Sequence, residues 1–215
     1  KMEEVTKTDG RTILFVSHNM GAIEQLCNKC ILIEKGKIKM FGETAKVIKE
    51  YQNGISKIID GNINLREDFT GMGGIIATKV SLLNIFNKAG LPQEGGFYSL
   101  DLEWKKEKDL NLSELQCGFA IHNSQGILVT RLSSYPFVEW LNAKHETGKW
   151  TCRIDKNLLP RGEYYSNIRI DSKRGMEYWK INAFSFRVNP GSFQDDIESK
   201  FHNHIFHQPQ NWINE

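Results

Sequence analysis

The C-terminal two-thirds of the chain contains a series of short strand-like segments, and this series limits the possible folds more than any other feature. Each segment is rich in β-branched and aromatic residues, and most alternate apolar with polar side chains, as strands with one buried face do. The segments are 75–86, 96–104, 115–122, 127–132, 149–155, 163–171 and 180–188. Glycine-containing turn signals separate several of them. Strands at this spacing predict an immunoglobulin-like β-sandwich.

The N-terminal part of the chain has a different pattern, in which strands and helices alternate. Residues 12–16 and 31–33 are continuous apolar runs, typical of strands that are covered on both faces. Helices are predicted over 20–28 and 44–51, and a returning strand over 37–41. Strands of this kind need neighbours that a segment of this length does not supply. We therefore expect an incomplete α/β segment in front of the sandwich.

The predicted fold class is mainly β, and four parts follow one another along the chain. They are the incomplete α/β segment at 1–55, a linker at 56–74, the β-sandwich at 75–190 and a C-terminal tail at 191–215. The linker is predicted because Asn-Gly, Asp-Gly and Gly-Met-Gly-Gly interrupt any regular element there. The tail has aromatic residues among polar ones, and its pattern leaves open whether it is ordered.

Composition excludes several classes of protein. The chain has 215 residues, of which 40% are hydrophobic and 25% charged, as in ordinary globular proteins. Its net charge of +2 is too small to argue for nucleic acid or an anionic membrane as the partner. No apolar run approaches the ~20 residues of a membrane span. The first ten residues are charged and polar, so we expect no signal peptide and a cytoplasmic location.

Two of the four cysteines, Cys27 and Cys30, form a Cys-x-x-Cys pair. A zinc site would need two further ligands, and the candidates are the histidines of the distant tail. These are His202, His204 and His207. Cysteines of cytoplasmic proteins are usually reduced and packed as small apolar side chains. We therefore predict no metal site, and we expect both cysteines in the core.

Residues 11–51, "RTILFVSHNMGAIEQLCNKCILIEKGKIKMFGETAKVIKEY", contain an ordered set of signals. They are a buried strand, Ser-His, a helix ending in Leu-Cys, an apolar strand, a Lys-Gly turn and Gly-x-x-x-x-Val-Ile. This segment resembles the C-terminal end of an ABC-transporter ATP-binding domain. The resemblance implies that His18 is the switch histidine, which contacts the γ-phosphate of ATP and helps to organise the attacking water. Its position after a buried strand is compatible with that role, and also with capping the next helix.

The other catalytic motifs of that family are absent from this chain. There is no Gly-x-x-x-x-Gly-Lys-[Ser/Thr] loop for the phosphates, no Asp-Glu pair after an apolar strand and no Leu-Ser-Gly-Gly signature. We therefore expect that this chain alone is not an enzyme and needs no cofactor. The resemblance implies ATP and magnesium for the intact parent protein. A second possibility is that the chain contributes to ATP turnover together with other polypeptides.

The sandwich resembles the carbohydrate-binding domain of Wzt-type subunits, which energise the export of O-antigen and related polysaccharides. The residues that carry this are "LQCGFAIHNSQGILVT" at 115–130, "NLLPRGEYYSNIRI" at 157–170 and "INAFSFRVNP" at 181–190. The resemblance implies recognition of a lipid-linked polysaccharide, such as the O-antigen of lipopolysaccharide, before the transporter moves it. It also implies a homodimer, in some cases with exchanged strands, and a membrane-spanning permease as partner. The chain would then lie at the inner face of the plasma membrane.

Strand alternation separates core side chains from those that a sugar could contact. In an immunoglobulin-like order, strands 115–122, 163–171 and 180–188 adjoin in one sheet. Its outward side is predicted to carry a floor of Gly118, Ala120, Ala183 and Ser185. The predicted carbohydrate-binding residues around this floor are His122, Tyr165, Asn167, Arg169 and Arg187. Aromatic rings pack on the C–H face of a sugar, planar polar groups bind hydroxyls, and arginines also suit a phosphate or acidic cap.

Two alternatives to this site follow from the same sequence. The loop at 133–146 contains Tyr135, Phe137 and Trp140 with Glu139 and His145, and it either binds the sugar or tucks its aromatic rings under the sandwich edge. Outward polar residues of a sheet are also often simply solvated. The alternative function is therefore a dimerisation or docking sandwich that binds no glycan.

Overall fold

The computed structural model describes residues 12–17, 20–34, 36–53, 55, 57, 61–65, 68–84, 86, 88–107, 110–138, 140–191 and 210–214. These residues belong to two compact units. The first unit covers 1–54 with 125–127, and the second covers 55–124 with 128–215. Neither helix of the described chain is long and apolar enough to cross a membrane.

The first unit contains a helix, a hairpin and a second helix, as predicted. They are α1 (Met20–Leu26), β1 (Lys29–Glu34), β2 (Lys37–Glu43) and α2 (Thr44–Asn53). Thr44 begins α2, and its hydroxyl donates to the carbonyl oxygen of Cys27 and accepts from the Cys30 thiol at 3.4 Å. Both cysteines are free thiols and only half-buried, so the expectation that they lie in the core is wrong. The first unit buries few side chains, and this leaves them partly accessible.

The predicted strand at 12–16 is not formed. Residues 12–17 have no regular secondary structure, and Leu14 and Val16 are 85% and 96% exposed. An apolar run becomes a stable strand only when neighbouring strands accept its hydrogen bonds and cover its faces. Among the described residues, no strand pairs with it. His18, which follows this run, lies outside the described residues.

The second unit is a two-sheet antiparallel sandwich that contains all seven predicted strands. They are β4 (Ile75–Leu83), β5 (Tyr98–Lys106), β6 (Gln116–Asn123), β7 (Leu128–Ser133), β8 (Thr147–Ile154), β9 (Gly162–Ser172) and β10 (Gly175–Val188). Two strands were not predicted: β3 (Asn62–Asn64) and β11 (Asn211–Asn214). One sheet has the order β10-β9-β6-β7, and the other has the order β11-β8-β5-β4-β3. The mainly β fold class is thus confirmed.

The described residues of the predicted linker belong to the sandwich unit rather than to a free connection. β3 pairs with β4, residue 57 forms a bridge to Ser185, and Thr70 forms one to Trp179. Gly71 has φ 134°, and a Cβ there would come within 2.4 Å of the carbonyl oxygen of Glu177. Only glycine lets the backbone pass so close to β10. The same glycines that break local regularity therefore allow this segment to pack on the sheet edge.

The core lies between the two sheets and consists of their alternate side chains. Leu100, Leu102 and Trp150 come from one sheet, and Phe119 and Ile168 from the other; all are buried. The tail contributes through β11, where Trp212 is buried and stacks on the Phe119 ring with centroids 6.0 Å apart. The tail residues 192–209 and their histidines lie outside the described residues. In the part of the chain that is described, no group of His, Cys, Asp and Glu side chains is arranged to hold a metal ion.

A tyrosine fixes the start of β9. The hydroxyl of Tyr164 donates to the carbonyl oxygen of Pro160 at 2.7 Å, four residues upstream. This is the tyrosine-corner arrangement found in immunoglobulin-like sandwiches. Burial, and secondarily the charge of Glu94, raises the pKa of Tyr164 to about 12. The bond anchors the start of β9, the strand that carries Tyr165, Asn167 and Arg169.

Candidate functional site

The outer face of the four-stranded sheet carries the predicted residues. We use "outer face" for the side of β10-β9-β6-β7 that points away from the core. On β6 and β9, Phe119, Ile121 and Ile168 are buried, whereas Arg169 is exposed and Tyr165 is half-buried. The predicted alternation of these two strands is therefore confirmed.

Strand register places the outer-face residues in rows that cross the sheet. The tyrosine row contains Ser185, Tyr165 and His122. The next row contains Asn167, Ala120 and Arg131. The arginine row contains Thr70, Trp179, Arg169, Gly118 and Ser133. The outer face thus alternates small residues with aromatic and planar polar ones.

The register brings some of the predicted residues together and separates others. Tyr165 and His122 lie directly opposite each other, and Asn167 is one row away. Arg169 is four residues along β9 from Tyr165, or about 13 Å at the usual rise of a strand. Arg187 lies opposite Glu163, at the other end of β9. A single sugar residue therefore cannot contact both Arg169 and Arg187, although an oligosaccharide could extend between them.

Arg169 forms a bidentate ion pair on its own strand. Its Nε donates to Oδ2 of Asp171 at 2.7 Å, and its Nη2 donates to Oδ1 at 2.9 Å. The hydrogen bonds to Asp171 raise the pKa of Arg169 above its ordinary value. The pair holds the guanidinium plane in one orientation and compensates its charge.

Asn167 has a structural partner. Its Oδ1 accepts a hydrogen bond from the backbone N–H of Asn182 at 2.7 Å. Asn182 has φ 48°, an uncommon backbone conformation for a non-glycine residue, and lies where β10 bulges against β9. Part of the hydrogen-bonding capacity of Asn167 is therefore used to hold the bulge.

Two of the four predicted floor residues do not lie open on the outer face, and a bulge in β10 accounts for one of them. Gly118 and Ala120 lie on the outer face as expected, but Ala183 and Ser185 are buried. Between the pairs Lys180–Ile168 and Phe184–Ser166, β10 advances by four residues while β9 advances by two. The additional residues remove Ala183 from simple alternation, and its side chain joins the core. Ser185 pairs with Tyr165, but it is buried beside residue 57 and offers no open floor.

His122 is half-buried, and its Nδ1 lies 3.1 Å from the carbonyl oxygen of Ala120. Because a carbonyl oxygen only accepts, this nitrogen carries the hydrogen. In the neutral ring, Nε2 is then an acceptor. This contact orients the His122 ring beside Tyr165.

Trp179 is an outer-face residue that the sequence analysis missed. It lies directly opposite Arg169, and 38% of it is exposed. The predicted strand began at residue 180, whereas β10 begins at Gly175. Continuing the alternation backwards from the core residue Phe184 would have placed Trp179 outward. The glycine turn at 173–175 was the signal that the strand could begin that early.

The aromatic loop, residues 134–141, is a second surface with exposed rings. Tyr135, Phe137 and Trp140 are 58%, 40% and 40% exposed, so the loop does not tuck these rings under the sandwich edge. Its ends are anchored by two backbone hydrogen bonds. The N–H of Ser134 donates to the carbonyl oxygen of Cys117 at 2.8 Å, and the N–H of Leu141 donates to the carbonyl oxygen of Leu115 at 2.9 Å. Glu139 lies outside the described residues, and His145 is exposed.

Comparisons with known proteins agree with both sequence resemblances. No profile of a known protein family matches the chain. The teichoic acids export ATP-binding protein TagH of Staphylococcus saprophyticus is 50% identical over 46 residues, which are 21% of this chain and 17% of that protein. TagH of Enterococcus faecalis is 41% identical over 46 residues, again 21% of this chain and 10% of that protein. This chain thus spans a small part of the length of the curated relatives that it matches.

The structural comparison concerns a larger part of the chain. The crystal structure of the C-terminal domain of Wzt matches with a TM-score of 0.50, over 71% of this chain and 98% of that one. The chain has a Wzt-type C-terminal fold. Sequence identity to that domain is 13%, so this likeness concerns the fold. The Wzt-type resemblance predicted for the sandwich is confirmed at that level.

Proposed function

We propose that this chain is the carbohydrate-recognition part of the ATP-binding subunit of an ABC transporter that exports a cell-surface polysaccharide. The observation that carries the proposal is the combination of a Wzt-type fold with a segment similar to TagH proteins. The ligand would be the lipid-linked polymer. Wzt suggests an O-antigen-like polymer and the TagH relatives suggest a teichoic acid, so the proposal is made for the class that includes both.

The outer face would contact the polymer. It combines aromatic rings, an imidazole and a bidentate guanidinium–carboxylate pair around the small residues Gly118 and Ala120. Sugars present C–H faces that pack on aromatic rings, and hydroxyl pairs that bind planar polar groups. Tyr165 and His122 would contact one part of an extended oligosaccharide, and Arg169 another.

The parent subunit would provide the ATPase, with ATP and magnesium bound mainly by residues outside this chain. His18 would act there as the switch histidine, and this chain alone would not hydrolyse ATP. The partners would be the membrane-spanning permease and a second copy of the subunit, with no nucleic acid. The domain would work at the cytoplasmic side of the plasma membrane.

The test is a binding titration against purified polysaccharide from the source strain, beside an unrelated polysaccharide. We expect selective binding that is lost in Tyr165→Ala and kept in Tyr135→Ala, which removes a ring of the aromatic loop. The reverse result would move the site to that loop. Binding to neither polymer would contradict glycan recognition and favour the dimerisation or docking sandwich.

A further inference from the structure

We infer that Trp179 is the stacking residue for an uncharged sugar ring of the polymer, and that the Arg169–Asp171 pair binds the hydroxyls of that ring. The inference rests on the proposed function, and it adds both a residue and a chemical class of ligand. It is carried by four features of the arginine row: a fixed backbone, an exposed indole, a compensated charge and an open neighbouring position.

The backbone of Trp179 is held on both sides. It pairs with Arg169 of β9 on one side and with Thr70 on the other. The N–H of Trp179 donates to the carbonyl oxygen of Thr70 at 2.7 Å, and the N–H of Thr70 donates to the carbonyl oxygen of Trp179 at 2.9 Å. The next residue, Lys180, is buried and donates to Oδ1 of Asp68 at 2.7 Å. The indole therefore extends from a strand that is fixed at both edges, as a preorganised stacking surface requires.

The exposure of Trp179 separates it from the tryptophans of the core. Trp104, Trp150 and Trp212 are all buried, at 6% exposure or less. Trp179 is 38% exposed, and Ile181, two residues further along β10, is 42% exposed. An accessible indole beside polar groups that can bind hydroxyls combines the two contacts that a sugar ring needs.

The charge at this row selects the kind of ring. Asp171 already occupies two of the guanidinium N–H groups of Arg169, and its carboxylate compensates the positive charge. A phosphate bound there would lie beside that carboxylate, and the two negative charges would repel each other. The remaining N–H groups and the carboxylate lone pairs instead offer donors and acceptors to neutral hydroxyls. For Arg169, this replaces the expectation that arginines of this face suit a phosphate cap.

Gly118 leaves space on the other side of Arg169. It occupies the arginine row between Arg169 and Ser133. A Cβ at this position would lie 3.4 Å from the carbonyl oxygen of Leu132, which is an ordinary contact. Packing therefore tolerates a side chain here, and a large one would fill the open position.

The experiment uses the full chain and a panel of purified bacterial polysaccharides, some uncharged and some with phosphodiester backbones. The variants are Trp179→Ala, Trp179→Phe and Gly118→Leu. Trp140→Ala is the matched control, because Trp140 is 40% exposed but lies on the aromatic loop. Circular dichroism and thermal unfolding verify that each variant is folded.

We expect selective binding to an uncharged member of the panel. Trp179→Ala and Gly118→Leu each lower the affinity by about tenfold or more, Trp179→Phe restores most of it, and Trp140→Ala changes it by less than about twofold. The affinity changes by less than about twofold between about 50 and 300 mM salt, since no net charge is neutralised. The indole N–H resonance of Trp179 shifts on binding.

Three outcomes overturn the inference in distinguishable ways. Selective binding that survives Trp179→Ala but is lost in Tyr165→Ala removes Trp179 from the site and keeps the proposed function. Preference for phosphodiester polymers with steep salt dependence overturns the chemical class. If no member of the panel binds, both the inference and the proposed glycan recognition fail.

Discussion

At the scale of single residues, burial of Tyr164 makes its contribution to the free energy of unfolding depend on pH. Its neutral hydroxyl is paired with Pro160, and its pKa is raised from 10.0 to about 12. Above pH 10, deprotonation of this tyrosine lowers the free energy of the unfolded chain. The folded chain is not stabilised in the same way until about pH 12. The contribution is therefore complete below pH 10 and decreases as the pH rises toward 12.

We predict that the free energy of unfolding falls between pH 10 and about 12, and that Tyr164→Phe makes this fall shallower. Part of the fall remains in this variant, because burial also raises the pKa values of Tyr98 and Tyr178. At neutral pH the variant loses about 1 kcal/mol with the hydrogen bond. Urea unfolding at several pH values measures this. Tyr135→Phe is the control, and an identical slope in both variants would contradict the prediction.

We predict that Asn167 contributes to the stability of the fold, whether or not it also contacts a glycan. Asn167→Ala leaves the N–H of Asn182 without its acceptor and should lower the free energy of unfolding by about 1–3 kcal/mol. Asn167→Asp keeps an oxygen at this position and should lose less. Thermal unfolding of both variants separates this role from glycan contact. Equal stability of Asn167→Ala and the parent would mean that the bulge does not depend on this bond.

At the scale of elements, one buried carboxylate holds the segment 68–74 to β10. Glu177 is fully buried, and its Oε2 accepts from the N–H of Gly74 at 3.1 Å while its Oε1 accepts from Ser172 at 2.6 Å. Its backbone carbonyl accepts from the N–H of Gly73 at 2.9 Å. The same segment contains Thr70, the neighbour of Trp179. The carboxylate thus connects a chain segment without strong local propensity to the arginine row.

We predict that Glu177→Ala destabilises the sandwich by about 2–4 kcal/mol, because two polar groups lose a charged acceptor. Hydrogen exchange followed by mass spectrometry should show faster exchange at residues 70–74 than in β6 and β9. Glu163→Ala, at a half-buried outer-face position, is the control. Unchanged exchange at 70–74 would show that backbone pairing alone holds the segment.

At the scale of the whole molecule, the two units differ in how much apolar surface they bury. The hydrophobic core belongs to the second unit, whereas the first exposes Leu14, Val16, Ile38 and other apolar side chains. Burial of apolar area is the main source of stability. The first unit is therefore expected to open more readily than the sandwich.

We predict that limited proteolysis cuts first within residues 12–53 and leaves a fragment that contains 75–188. Mass spectrometry of the early products identifies the sites. Cleavage of both units at the same rate would mean that another surface protects the apolar side chains of the first unit.

The strands of the sandwich could be predicted because their signals are local. Alternation of side chains and the turn residues between strands depend on near neighbours, and all seven predicted strands are present. The run at 12–16 shows the limit of this reasoning. Its residues favour a strand, but a strand also needs partners, and the described chain provides none.

The chain's sequence alone determined the fold class, the resemblance to Wzt-type and ABC ATP-binding proteins, and the outward positions of Tyr165 and Arg169, since a strand's period of two is a property of its own residues. Only the tertiary structure decided that Trp179 lies between Thr70 and Arg169, and that Ala183 and Ser185 are buried. These features depend on register and on a bulge. Both arise from hydrogen bonds between segments far apart in the chain, and no local pattern encodes them.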